Sequence, residues 1–368
     1  MINGASVDWK SNRALIKATT RGPVPRVTNL FWILFGILIF MPIELGYSGL
    51  YLGYFQIIIL FFLSYKIAKI KIIVYLGYCS LVLISTMVGN DATLTSLINP
   101  IVTGLVLIVN IKDKNQYSMI KNGVYISAAT NAIFLIYLLS NSGIGSLYLL
   151  LTTRTWAIEA VPYFGNGLAM LFSMAMLIAS KEGKLTLVLL FFIGGLLTTS
   201  RIPLLTMAII LIFYIIRSIN IKNIWVLVGL LSLLAFFAPK FDTILFQELK
   251  GRFFQTSDRQ EVYSLGLSKI YENPFFGAGS EKLEFFEHTH NSYLQVAYKS
   301  GGGALFLWLL LIYFAYFKKL KFSKNIEFIL VFSIISLTQI GLQNPNLLIV
   351  LAVYYCLFSE NDANKFNN

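Results

Sequence analysis

The chain has 368 residues, 57% of them hydrophobic and only 12% charged, with a formal net charge of +12 and a mean hydropathy of +0.72. Soluble domains carry about 25% charged residues, and apolar runs recur here from Asn29 to Phe358, which excludes a soluble globular protein; a β-barrel would show short alternating segments instead. The positive charge sits in short clusters between apolar runs, the arrangement of cytoplasmic loops rather than of a nucleic-acid surface.

Residues 1–28 are basic (Lys10, Arg13, Lys17, Arg21, Arg26) and have no apolar core of their own. They read as a cytoplasmic tail lying on anionic lipid, not as a cleavable signal. An all-α polytopic membrane fold follows, with about 12 transmembrane helices. The expected spans lie near 29–46, 50–65, 72–88, 94–110, 122–140, 163–180, 185–199, 202–217, 224–239, 302–317, 326–341 and 346–358. Residues 29–239 thus hold the first nine spans, 240–301 form one large structured external loop, 302–358 hold the last three spans, and 359–368 form a second cytoplasmic tail. Cys79 and Cys356 both fall in spans and read as small apolar residues rather than a disulfide.

Charge supports this topology. With the N-terminus inside, the short inside loops are all basic: Lys66, Lys69 and Lys71; Lys112, Lys114 and Lys121; Lys181 and Lys184; Arg217 and Lys222; Lys318, Lys319, Lys321 and Lys324. Both termini are then cytoplasmic. The carboxylates run the other way, and most of the external ones fall in the single loop near Lys240–Ser300.

That loop carries structure signals. Asp258 to Tyr271 form a helix with Val262, Leu265 and Ile270 toward one side. Asn273-Pro274 breaks it, and Gly277-Ala278-Gly279 makes a tight turn. A short helix from Ser292 to Lys299 has Leu294 and Ala297 on one face, and Gly301-Gly302-Gly303 leads into the next span. The loop is expected to pack over the bundle and cover a cavity.

Four places hold residues with chemical capacity. Arg201 lies in Thr198-Thr199-Ser200-Arg201-Ile202-Pro203, where one span ends and the next begins. Ser200 suits the N-cap, and Pro203 is tolerated because first-turn amides have no intrahelical acceptor. An arginine on a helix N-terminus is an anion site, though an arginine reaching for lipid headgroups fits equally well. Arg259 and Arg252, in the external loop, fit a solvated face with ordinary ion pairs somewhat better than an anion site. Arg154 stands on a different external loop and offers a further cation. The only two histidines, His288 and His290, close the loop beside Glu284, Glu287 and Asn291. A neutral imidazole at His290 can take a proton from a hydroxyl, and Glu287 and Glu284 are alternative bases or groups that orient the ring. A metal pair and a structural cap for the next helix are the competing readings, and the His-Thr-His spacing is a poor ligand pattern. No Asp, Glu, Lys or Arg falls at mid-span, which counts against an ion-coupled transporter.

The ordered set Arg154, Pro162-Tyr163-Phe164-Gly165-Asn166-Gly167, Thr199-Ser200-Arg201, Asp258-Arg259-Gln260, Asn273-Pro274-Phe275-Phe276-Gly277-Ala278-Gly279 and His288-Thr289-His290-Asn291-Ser292-Tyr293-Leu294 resembles the O-antigen ligase and Wzy-type O-antigen polymerase family of bacterial envelope glycan assembly. The resemblance covers about Arg154 to Leu311. One departure is Ala304, where the family often has a second glycine. The resemblance implies a multi-pass protein of the bacterial inner membrane with its long loop in the periplasm. It implies an inverting glycosyltransferase that takes a glycan from undecaprenyl diphosphate and uses no metal or other cofactor; the charge distribution already argues against a nucleic-acid partner. The partners it implies are an undecaprenyl-diphosphate-linked oligosaccharide donor, an acceptor that is either a lipid-linked repeat unit or lipid A-core, membrane lipid, and a chain-length regulator protein. It assigns Arg201 and Arg259 to the diphosphate and His290 to the base, with Arg154, Arg252, Glu287, His288 and Asn291 as further substrate contacts. A polymerase is weakly preferred over a ligase, because the chain is compact and the loop modest. A lipid-linked oligosaccharide transporter without chemistry is the third reading.

Overall fold

The computed structural model describes residues 26–38, 58, 59, 61, 67–88, 94–109, 114–153, 165–198, 201–217, 259–279, 289, 291–318, 320, 325–338 and 345–358. These residues are overwhelmingly helical, and there is no strand among them. In chain order the helices are α1 (Arg26–Leu38), α2 (Lys69–Val88), α3 (Leu94–Ile108), α4 (Lys114–Thr153), α5 (Gly165–Lys181), α6 (Leu185–Leu197), α7 (Arg201–Arg217), α8 (Arg259–Glu272), α9 (Ser292–Ile312), α10 (Ile326–Thr338) and α11 (Pro345–Phe358). A π-helical turn, Tyr313–Phe317, extends α9.

The expected spans near 29–46, 72–88, 94–110, 122–140, 163–180, 185–199, 202–217, 302–317, 326–341 and 346–358 each coincide with a helix, within the described residues. The span near 224–239 and the tails 1–25 and 359–368 lie outside the described residues, as does most of 50–65. Among the described residues, three helices are long and apolar enough to cross a membrane: Lys69–Met87, Lys114–Tyr137 and Ser292–Phe317. Several others are shorter; the 13 residues of α6 rise only about 20 Å, against a hydrocarbon thickness of about 30 Å. α4 departs most from expectation, running unbroken for 40 residues. Hydropathy marks where a chain is apolar, not where its hydrogen bonds stop, so α4 continues through flanks that read as loops.

Helix α5 is the centre of one half of the bundle. Every residue from Leu168 to Ser180 is buried, because α4, α6, α7 and α11 all pack on it. Small residues and flexible methionines (Ala169, Met170, Ser173, Met174, Ala175, Met176) let these neighbours approach. In the other half α9 packs on α2, α3 and α10, while α11 bridges the halves through α3 and α4. α1 lies along α4 at a crossing so close that a Cβ on Gly36 would overlap the carbonyl of Ile120, and one on Gly123 the carbonyl of Ile33.

The outer faces are apolar. Ile73, Leu76 and Met87 on α2, Ile133 and Tyr137 on α4, Leu205, Ile212 and Ile216 on α7, and Phe306 on α9 are all more than half exposed. In water such a belt would be a liability for aggregation; in a bilayer it is the lipid-facing surface. The protein is a helical membrane protein.

Charged groups gather at one end. Glu182, in the turn between α5 and α6, is paired with Lys121 of α4 and with Lys184 at 2.7 Å, and it accepts from the Tyr125 hydroxyl at 3.1 Å. Glu327, at the start of α10, is fully buried and paired with Lys181 at 2.7 Å and with Arg217 at the end of α7. Lys121, Lys181, Glu182, Lys184 and Arg217 belong to segments that the sequence assigns to the inside, and Tyr125 and Glu327 fall in the first turn of the adjoining expected spans. Tyr316, near the far end of α9, packs on Phe328 in the next turn of α10. From Lys299 to Tyr316 the helix rises roughly 25 Å, so the start of α9 lies at the opposite end of the bundle.

Candidate functional site

That opposite end is built by α8, the turn after it and the first turns of α9. Helix α8 starts at Arg259, one residue after the expected Asp258, and ends at Glu272, just before the Asn273-Pro274 break. Val262 is buried against Ala278 and Tyr298, with Leu265 and Ile270 partly buried over them, so the expected apolar side is the docking side.

The turn at 274–279 sits on a break in α9. Gly301 has φ 81° and ψ 172°, outside helical geometry, which ends a first segment at Ser300 and starts a second at Gly302. The break frees carbonyls that an unbroken helix would use. Ala278 N–H donates to Tyr298 O at 2.7 Å and Gly279 N–H to Lys299 O at 3.0 Å, while Gly302 N–H turns to Pro274 O at 2.8 Å. The Ser85 hydroxyl of α2 also donates to Lys299 O. Gly277 and Gly279 adopt left-handed φ of 68° and 65°. A Cβ at Gly301 would overlap the carbonyl of Phe275. The Asn-Pro…Gly-Ala-Gly…Gly pattern is therefore the clamp that fastens α8 to α9.

The start of α9 is tied as tightly. Asn291 is its N-cap, and its Oδ1 accepts from Tyr293 N–H at 2.9 Å and Leu294 N–H at 3.0 Å. Asn291 O accepts from Gln295 N–H at 2.9 Å and from the Thr289 hydroxyl at 3.0 Å. Thr289 N–H donates to Gln295 Oε1 at 2.8 Å. Thr289 and Gln295 are both fully buried, and Gln295 Nε2 has no hydrogen-bond partner among the described residues. Thr289 also lies over Gly266 of α8.

Of the residues singled out in the sequence, His290, His288, Glu287, Arg154 and Arg252 lie outside the described residues, as does Ser200. His290 is bracketed by Thr289 and Asn291, both of which are fixed as above. Arg201 and Arg259 are the first residues of α7 and α8, and their side chains lie outside the described set. Asn291 spends its carbonyl oxygen on the cap, leaving its amide nitrogen as the group able to meet a ligand.

The helix starts share one end of the molecule. Arg217 at the far end of α7 meets Glu327 at the start of α10, and the two helices pack together. The start of α7 therefore lies toward the last turn of α10. There the Tyr263 hydroxyl, in the first turns of α8, donates to Leu337 O at 3.4 Å. The backbone starts of α7, α8 and α9 thus lie toward the same end. The starts of α7 and α8 each have first-turn N–H groups without intrahelical acceptors and a partial positive charge, an environment suited to an anion, whereas Asn291 takes those of α9. Sequence reasoning missed Thr289, Gln295, Ser85 and Tyr263. The one available signal was Gln295 itself, a polar residue one turn after the N-cap and adjacent to the apolar Leu294 and Val296.

Residues 186–309 match the family model described as O-antigen ligase. The match runs from α6 through α7 and α8 into α9, and it contains Arg201, Arg259 and His290 but not Arg154. The family resemblance read from the sequence holds over this stretch. No curated protein matches the chain.

Proposed function

We propose that this membrane protein, whose residues 186–309 match the family model described as O-antigen ligase, transfers a glycan from undecaprenyl diphosphate to an acceptor hydroxyl at the periplasmic face of the inner membrane. The observation that carries the reading is that the family match encloses the starts of α7, α8 and α9, which lie at one end of the bundle, and the first two begin with arginine.

In this reading Arg201 and Arg259 hold the diphosphate, and His290 accepts the proton of the attacking hydroxyl. The acceptor oxygen bonds to the anomeric carbon from the face opposite the leaving group, so the configuration inverts. The bond from that carbon to the phosphate oxygen breaks, and its electron pair leaves with undecaprenyl diphosphate. Charge develops on the diphosphate oxygens, where guanidinium groups and helix N-termini stabilise it. Arg154, Arg252, Glu287, His288 and Asn291 are further contacts for the sugar or the phosphates. The loop 240–301 carries the chemistry, and the spans on either side hold the lipid tails.

The preferred acceptor is a second lipid-linked repeat unit, which makes the protein a polymerase, with a chain-length regulator as its partner. Transfer to lipid A-core is the second reading, favoured by the description of the family model. Purified protein supplied with a lipid-linked oligosaccharide should release undecaprenyl diphosphate, and His290→Ala should abolish release. Movement of the lipid without cleavage would make the protein a transporter. In a deletion strain, core bearing a single repeat unit marks a lost polymerase. Full-length chains stranded on the carrier lipid mark a lost ligase.

A further inference from the structure

We infer that Gln295 is a positioning residue for His290, acting through the chain on either side of it; the inference rests on the transferase reading above. Gln295 Oε1 holds the N–H of Thr289 at 2.8 Å, and the Thr289 hydroxyl reaches Asn291 O at 3.0 Å. Gln295 N–H takes the same Asn291 carbonyl at 2.9 Å. One side chain thereby locks the residue before His290 onto the helix that starts after it. Thr289 and Asn291, the neighbours of His290 in the sequence, are thereby fixed to one another.

The amide is not there for stability alone. Gln295 is fully buried, yet its Nε2 has no partner among the described residues. An orphaned buried donor costs free energy that a methionine of similar volume would avoid. What methionine lacks is the acceptor oxygen on Thr289. Holding a reacting group to within a fraction of an ångström is what such outer supports provide.

The experiment compares wild type, Gln295→Met, Gln295→Glu and His290→Ala in release of undecaprenyl diphosphate from a lipid-linked oligosaccharide, with folding checked by gel filtration in detergent. Gln295→Met should lose about 10- to 100-fold in kcat with KM for the lipid-linked donor nearly unchanged, because the base is misplaced while the diphosphate grip remains. Gln295→Glu keeps an acceptor oxygen at the same reach and should recover most of that loss. A folded Gln295→Met with wild-type kcat, beside an inactive His290→Ala, overturns the positioning role and leaves the transferase reading intact. An active His290→Ala overturns both. If Gln295→Met does not fold, Gln295→Glu is the deciding variant, since it keeps an acceptor for the Thr289 N–H; kcat within about tenfold of wild type at constant KM supports the role, and a folded Gln295→Glu as inactive as His290→Ala overturns it.

Discussion

A guanidinium at the start of a helix and an ammonium in the same place are not equivalent toward a diphosphate. Arginine offers a planar fork that grips two oxygens at once, whereas lysine offers a point charge. On the transferase reading, Arg201→Ala and Arg259→Ala should each lower kcat/KM by about 100- to 1000-fold, as expected when a donor to developing charge is removed. The lysine variants should recover only part of this, as measured by diphosphate release. At the charged end the balance differs. Burial works against the Glu182 carboxylate, but hydrogen bonds and charge from Lys121 and Lys184 prevail and hold its pKa below the ordinary 4.5. A carboxylate with a depressed folded pKa adds stability above its unfolded pKa, and that stability is lost as pH falls through the folded value. The gap in melting temperature between wild type and Glu182→Gln should therefore be full at about pH 7 and close as pH is lowered through the carboxylate range. Glu327→Gln should cost about 3 kcal/mol in detergent unfolding, the low end for a broken buried pair because Arg217 is partly exposed.

At the scale of elements, two helix contacts depend on the absence of a Cβ. At Gly301 the reasons combine: φ is 81°, and the space where a Cβ would sit is occupied by the backbone of Phe275. Gly301→Ala should undock the 273–279 turn, seen as faster proteolysis there. Gly302→Ala is the control, since its Cβ would meet only Pro274 O at 3.3 Å. These elements also mark how far the sequence could be read. The short helix from Ser292, its end near Lys299 and the glycine hinge were legible, because capping and breaking residues act locally. The apolar side of α8 was legible because periodicity reports burial. The 40-residue length of α4 was not, since polar flanks look like loops whether or not they are helical. Nor was the Gly36–Gly123 crossing, because a glycine in an apolar run means nothing until its partner is known. The Thr289–Gln295 link was hidden for the same reason: a buried amide and a surface amide have the same letter. Of the site residues, the sequence indicates type and order, while their convergence depends on how separate helices pack.

For the whole molecule, the central question is which end faces which compartment. The basic loops predict that the end holding Lys121, Glu182, Lys181, Arg217 and Glu327 is cytoplasmic. The packing supports a common end for these residues, because Glu182 and Glu327 join the ends of four helices and a turn. The end with α8 and the start of α9 then faces the periplasm, where a flipped lipid-linked sugar would be met. Two single cysteines test this in a background with Cys79 and Cys356 replaced by alanine. Ser264→Cys lies on the exposed side of α8, and Lys184→Cys is exposed in the turn between α5 and α6. In intact spheroplasts a membrane-impermeant maleimide should label Ser264→Cys at once and Lys184→Cys only after permeabilisation. Labelling in the reverse order would invert the orientation and leave the helix starts facing the cytoplasm, where the proposed donor would have to be met before it is flipped.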